Sequence, residues 1–163
     1  MSELTAIYNY LPISPTIATS GQPTAPQFMA IQQAGYAVVM NLALPTSTGA
    51  IANEAAIVTG LGLTYIAIPV EWEAPQLRDF EQFWAALQAH AQQQVYVHCA
   101  ANMRVSAFMY LYRVLALDVD PAIAATSLHQ IWQPNPTWQQ FIDQTLAHYG
   151  ASPGAATAAD AAE

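Results

Sequence analysis

The stretch that decides the fold is "QVYVHCAANMRVSAFMYLYRVLAL", residues 94–117. Its first part, Val95 to His98, is a short apolar run that predicts a buried strand. A loop of small residues follows, and from Arg104 onward apolar residues recur at the spacing of an amphipathic helix. A strand that leads through a tight loop into a helix gathers unpaired backbone N–H groups and the positive end of the helix dipole at one point. The stretch therefore predicts an anion-binding loop.

The chain before this stretch alternates between strand and helix patterns. Apolar segments of strand length occur at 37–44 and 64–70, and helical patterns occur at 26–34, 51–61 and 76–91. This alternation predicts an α/β fold with a central, mainly parallel sheet of about four to five strands flanked by helices. Ligands bind beyond the carboxyl ends of strands in such sheets, and His98 and Cys99 stand at one of these ends.

The chain after Arg104 contains only helical patterns, at 104–117, 121–132 and 136–149. Pro121 and Pro136 suit the first turns of the last two helices. These patterns predict a C-terminal helical half within a single domain that covers residues 1–149. Residues 150–163 contain no large apolar side chain and are predicted to form a flexible, alanine-rich tail.

Composition excludes several classes of partner. The chain has 163 residues, 54% of them apolar, and a formal charge of −8, with three arginines and no lysine. We therefore expect it to bind neither nucleic acid nor an anionic membrane. A single cysteine and four histidines without ligand spacing predict no disulfide, no metal and no cofactor. The N-terminus lacks a signal peptide and no segment is long enough to span a membrane, so we expect a cytoplasmic protein.

The cysteine loop carries three signals of chemistry. A thiol close to a helix N-terminus and an arginine is favoured as the nucleophilic thiolate. Arg104 is the residue type suited to bidentate binding of phosphate. Asn102 tolerates the positive φ of a tightly curled loop, and Ala100 and Ala101 leave room for a ligand. A lone cysteine is more often a small buried apolar residue, so Arg104 is the observation that favours a nucleophile at Cys99.

The segment "HCAANMRVS" resembles the signature of the cysteine-dependent protein tyrosine and dual-specificity phosphatases, which is His-Cys, five residues, then Arg and Ser or Thr. Two earlier segments, "ISPTIATSGQPT" and "GYAVVMNLAL", are similar to the small bacterial members, and "YIAIPVEWEAP" lies where that family has its general-acid loop. The resemblance implies a dual-specificity-phosphatase-like fold and metal-free hydrolysis through a phosphocysteine. The implied substrate is a phosphorylated protein or a small phosphoester.

The resemblance also implies roles for individual residues. Cys99 would be the nucleophile and Arg104 the phosphate clamp, while Ser106 would favour breakdown of the phosphocysteine. For the general acid the family pattern falls on Glu71, and Glu73 is chemically equivalent. The implied substrate-binding set comprises His98, Ala100, Ala101, Asn102, Met103, Arg104 and Ser106.

The sequence departs from the family signature in one respect. Four residues, not five, separate Cys99 from Arg104. Either the loop is shorter and Arg104 holds the arginine place, or Ser106 keeps the hydroxyl place and Val105 occupies the arginine position. Rhodanese-type sulfurtransferases use a similar four-residue loop to carry a persulfide, which leaves sulfur transfer as an alternative reaction. A catalytically weak pseudophosphatase that binds an anion or a partner is a second alternative.

Overall fold

The computed structural model describes residues 3–151, so the predicted tail lies outside the described residues from 152 onward. A short 3₁₀-helix, Leu4–Ala6, precedes the sheet. The described residues contain five strands, which are β1 (Leu11–Ser14), β2 (Ile17–Ser20), β3 (Val38–Asn41), β4 (Thr64–Ala67) and β5 (Val95–His98). The same part of the chain contains six α-helices, which are α1 (Ala25–Gln33), α2 (Glu54–Gly60), α3 (Leu77–Ala89), α4 (Met103–Leu115), α5 (Pro121–Ile131) and α6 (Pro136–His148).

The strands form one sheet in the order β1-β2-β5-β3-β4. Only the β1–β2 pair is antiparallel, and the other three pairs are parallel, which confirms the predicted α/β class and its mainly parallel sheet. The strand that ends at His98 is central, with Ser20 paired on one side and Asn41 on the other. The loop that begins at Cys99 is therefore bordered by the segments that follow β2 and β3.

The sheet separates two apolar cores. Alternate residues of a strand point to opposite faces, so Tyr96 packs with Phe28 and Ile31 of α1, whereas Val95 and Val97 pack on the other face against the C-terminal helices. The two cores together bury the central strand β5 completely, so they fix the position of His98 and Cys99 at its carboxyl end.

Helix α4 lies inside the larger core rather than on its surface. All residues of α4 from Arg104 to Tyr112 are buried. Phe108 lies between the rings of Phe80 and Phe83 on α3 and those of Trp138 and Phe141 on α6, with centroid distances of 5.4–6.0 Å. Packing on every side holds the N-terminus of α4 rigidly against the end of β5.

Within residues 3–151 no helix is long and apolar enough to cross a membrane. The same part of the chain contains no group of three or more His, Cys, Asp or Glu side chains able to hold a metal ion.

Candidate active site

The loop between β5 and α4 curls tightly around Cys99. Cys99 follows directly after β5 and is buried. Asn102 precedes the first turn of α4 in the left-handed region, with φ 66°, so the positive φ expected at this residue is confirmed. This conformation costs most side chains about 1–2 kcal/mol, and asparagine tolerates it better than most.

The loop carbonyls bond to the protein around them. The backbone N–H of Gln22 donates to the Ala100 carbonyl at 3.0 Å, and Asn9 Nδ2 donates to the Ala101 carbonyl at 2.9 Å. Asn102 Nδ2 donates back to the Asn9 carbonyl at 2.9 Å. The N–H groups of Ala100 and Ala101, by contrast, donate to no other residue in the described part of the chain. The loop thus uses its acceptors for support and keeps donors free for an anion.

Gly21 allows the loop to approach β2 so closely. A Cβ atom at Gly21 would lie 2.7 Å from the Ala100 carbonyl oxygen and 2.6 Å from Cδ2 of Tyr8. Any larger residue would therefore push the loop or the Tyr8 ring away.

Cys99 and Arg104 face the same pocket, which has a volume of about 360 Å³. Val105 is fully buried and does not line this pocket. Of the two registers open from the sequence, the geometry therefore favours the shortened loop in which Arg104 holds the arginine place. The lining residues are Leu44, Thr46, Ser47, Thr48, Trp72, Cys99, Ala100, Ala101, Met103 and Arg104.

The Arg104 guanidinium is fixed by two hydrogen bonds to the pocket wall. Nη1 donates to the Val70 carbonyl at 3.1 Å, and Nη2 donates to Ser47 Oγ at 3.2 Å. The guanidinium carbon also lies 5.8 Å from the ring centroid of Trp72, within the range of a cation–π contact. A guanidinium has five N–H donors, so these bonds orient the group and leave others for a bound anion.

A buried ion pair lies behind the loop. His98 Nε2 is 2.6 Å from Glu54 Oε2, and both side chains are almost completely buried. Glu54 also accepts hydrogen bonds from Gln22 Nε2 at 2.9 Å and from the Tyr65 hydroxyl at 3.2 Å. Asn41 Nδ2 in turn donates to the Tyr65 hydroxyl at 3.1 Å. The network links the ends of β3 and β5, and Tyr65 within β4, to the start of α2.

The hydrogen bonds around Glu54 determine the charge of its carboxyl group. Burial raises the pKa of Glu54, but the hydrogen bond and charge of His98 and the hydrogen bonds of Gln22 and Tyr65 outweigh it, so the pKa lies below its ordinary value. Glu54 is therefore a carboxylate. The other ring nitrogen, Nδ1, lies 3.2 Å from the Cys99 carbonyl. Both ring nitrogens of His98 therefore face oxygen atoms, Nε2 the Glu54 carboxylate and Nδ1 the Cys99 carbonyl.

The two acid candidates lie on the loop between β4 and α3. Glu71 and Glu73 are exposed, and neither lines the pocket, but Trp72 between them does. Trp138 Nε1 donates to the Trp72 carbonyl at 2.9 Å, and the Trp72 ring packs on Trp138 at 5.7 Å. The loop is thus anchored by its tryptophan, with one carboxylate on each side of the anchor.

The structure does not place every predicted residue at the pocket. The Ser106 hydroxyl donates to the Met103 carbonyl at 2.9 Å and accepts from Trp132 Nε1 at 3.0 Å, outside the pocket. His98 and Asn102 support the loop from behind without lining the pocket. Cys99, Arg104, Ala100, Ala101 and Met103 do line it together.

Two residues with clear contacts were missed from the sequence. Ser47 Oγ accepts from the Leu44 N–H at 2.9 Å as well as from Arg104, and it lies after the carboxyl end of β3, an edge at which ligand sites form. Glu54 pairs with His98 across 44 residues, and nothing in the local sequence distinguishes it from a surface acid at a helix start.

Neither a protein-family model nor a curated protein sequence matches this chain. Among solved structures, a protein of Shewanella putrefaciens CN-32 named "Putative phosphatase (DUF442)" is 38% identical, has a TM-score of 0.83, and is matched over 91% of this chain and 98% of its own. The chain belongs to this DUF442 family.

More distant structures share the fold of this DUF442 protein. P. aeruginosa TpbA is 18% identical with a TM-score of 0.68, over 93% of this chain and 90% of its own. The catalytic domain of the S. cerevisiae PP-IP phosphatase SIW14 is 13% identical with a TM-score of 0.69, over 84% and 85% of the two chains. These structures confirm the phosphatase-like fold that the resemblance implied.

Proposed function

We propose that this DUF442 protein is a cysteine-dependent phosphatase that hydrolyses phosphomonoesters through a phosphocysteine on Cys99. The observation that carries the proposal is one pocket lined together by Cys99, Arg104, Ala100 and Ala101, in which the N–H groups of the two alanines are bonded to no other described residue. A nucleophile, a cation and backbone donors on one face are what phosphoryl transfer needs, because its catalysis rests on positioning and on stabilisation of charge.

Each reaction step has a group to perform it. The Cys99 thiolate attacks phosphorus, and the bond to the leaving oxygen breaks while Arg104 and the loop N–H groups bind the non-bridging oxygens. The leaving oxygen takes a proton from Glu71 or Glu73. In the second step the same carboxylate accepts a proton from water, the water oxygen attacks phosphorus, and the P–S bond breaks to release inorganic phosphate and the thiolate.

His98 ties the catalytic loop to the buried hydrogen-bond network behind it. It sits one residue before Cys99, donates to the Cys99 carbonyl, and is held by the Glu54 carboxylate. These two contacts fix the start of the catalytic loop, and with it the position of Cys99, without occupying the pocket. His98 therefore supports the reaction from behind the loop.

The proposed reaction is tested by hydrolysis of aryl phosphates with the wild-type chain and Cys99→Ser. We expect vanadate-sensitive release of phosphate from the wild type, loss of activity in the variant, and an 80-Da mass increase on Cys99 after rapid acid quenching. Because sulfur transfer also uses a cysteine loop, thiocyanate formation from thiosulfate and cyanide is measured in parallel. Sulfur transfer with no phosphate release from a panel of phosphoesters would refute the proposal.

A further inference from the structure

A second depression adjoins the pocket around Cys99. Its volume is about 700 Å³, and it shares Thr48 and Ala100 with that pocket, so one molecule can occupy both. We call it the neutral groove. Its walls include Tyr8, Gln22, Pro23, Ile51, Asn53 and Ile57.

No charged side chain of the described residues lines the neutral groove. Its neighbour Glu54 is buried, and its carboxylate is already bonded to His98 and Gln22. Arg104 lines only the pocket around Cys99, and Arg113 bonds to Ser127 on another face. Arg78, the remaining cation of a chain without lysine, does not line the groove. A second phosphoryl group bound there would meet no cation.

The walls instead offer apolar surface and hydrogen bonds. Tyr8 is 59% exposed although it is aromatic, and its ring lies against the backbone of Gly21, which leaves no space for a side chain. Asn53 precedes α2 without forming a side-chain cap, so its amide is available to a ligand. Exposed apolar surface beside a polar pocket is typical of a ligand groove.

We propose that the neutral groove binds the leaving group of the substrate, and that the substrate is an organic monophosphate whose leaving group is uncharged, largely apolar and longer than a single ring. This inference rests on the proposed function, because the pocket around Cys99 is assigned to the phosphoryl group. The net charge of −8 also favours a substrate with a single phosphate, because it repels molecules that carry several phosphates.

The test compares the affinities of two non-hydrolysable ligands, phenylphosphonate and biphenyl-4-ylphosphonate, by titration calorimetry. We expect the wild type to prefer the biphenyl ligand about tenfold, which is the effect of burying roughly 60 Å² of apolar surface. Tyr8→Ser should reduce the preference to less than threefold. Ile123→Ser is the matched control, because Ile123 is 58% exposed and lines neither cavity, and it should keep the wild-type preference.

A biphenyl phosphonate with a carboxylate on its distal ring tests whether the walls of the neutral groove lack a cation. We expect it to bind more weakly than biphenyl-4-ylphosphonate, whose distal ring is uncharged. Equal wild-type affinities for the two phosphonates, tighter binding of the carboxylate ligand, or no binding of either phosphonate would overturn the neutral groove. The proposed reaction can fail separately from the proposed groove. If the wild type prefers the biphenyl ligand but does not hydrolyse the phosphates of phenol and 4-phenylphenol, the reaction alone is refuted. If it hydrolyses these phosphates but does not prefer the biphenyl ligand, binding in the neutral groove alone is refuted.

Discussion

Replacement of Glu54 by glutamine tests the buried ion pair behind the catalytic loop. The carboxylate accepts three hydrogen bonds, at 2.6 Å from His98, 2.9 Å from Gln22 and 3.2 Å from Tyr65. Glutamine has nearly the same shape, and His98 can accept from the new amide as a neutral ring. The variant therefore keeps hydrogen bonds and loses their charge assistance, for which we expect about 2–4 kcal/mol of lost stability.

Thermal unfolding followed by circular dichroism measures this loss. At about 2–4 °C per kcal/mol for a chain of this size, Glu54→Gln should lower Tm by about 5–15 °C at pH 7. The control is Glu81→Gln, which changes an exposed acid on α3 and should alter stability by less than about 0.5 kcal/mol.

The pH dependence supplies a second readout. Because the pKa of Glu54 is lower in the folded protein than its ordinary value, its contribution is fully present above about pH 4.5 and is lost as the pH falls through the folded pKa. The difference in Tm between the wild type and Glu54→Gln should therefore shrink in strong acid. An equal Tm at pH 7, or a difference that stays unchanged well below pH 4.5, would refute the role of the Glu54 carboxylate.

Three further predictions concern the loop and the pocket. Only one of the two variants Glu71→Gln and Glu73→Gln, the one that removes the general acid, should lower kcat/KM for phenyl phosphate by about 10²–10⁴. The same variant should affect 4-nitrophenyl phosphate much less, because a good leaving group needs no proton; equal losses for both esters would contradict the acid role. Arg104→Lys should weaken vanadate inhibition by about 10–100-fold, since the ammonium group cannot replace the fork that bonds to the wall and the anion, and unchanged inhibition would refute the clamp. Gly21→Ala should cost about 1–3 kcal/mol in denaturant unfolding, because its Cβ meets a backbone oxygen at 2.7 Å, whereas Gly60→Ala meets nothing within 4 Å and should be neutral or stabilising by up to about 1 kcal/mol.

Much of the fold follows from local patterns in the sequence. The strands at 38–41, 64–67 and 95–98 lie inside the apolar segments that predicted them. The six helices of the described residues begin and end within three residues of the predicted helix ends. Strands β1 and β2 were not located from the sequence. β1 contains Pro12, which is tolerated at a sheet edge but is not a strand signal, and β2 ends in the polar residues Thr19 and Ser20 rather than continuing as an apolar run.

Local sequence patterns likewise predicted only part of the candidate site. Cys99, Ala100, Ala101, Met103 and Arg104 were predicted to act together because they are consecutive or nearly so, and one loop is enough to join them. Glu54 and Ser47 reach the site only through tertiary packing, so no local pattern distinguishes them from a surface acid or a loop serine. The acid loop was located by resemblance, but its exposed carboxylates lie beside the pocket rather than in it.

The single cysteine of the chain also determines its response to oxidants. Peroxide converts a reactive thiolate to a sulfenic acid, which a neighbouring thiol can protect by forming a disulfide. Cys99 has no such neighbour anywhere in the sequence. Protection of the sulfenic acid must therefore come from an external thiol or from condensation with a backbone nitrogen that releases water, and an external thiol must then reduce the product to recover Cys99. Sustained peroxide should carry an unprotected sulfur on to the irreversible sulfonic acid.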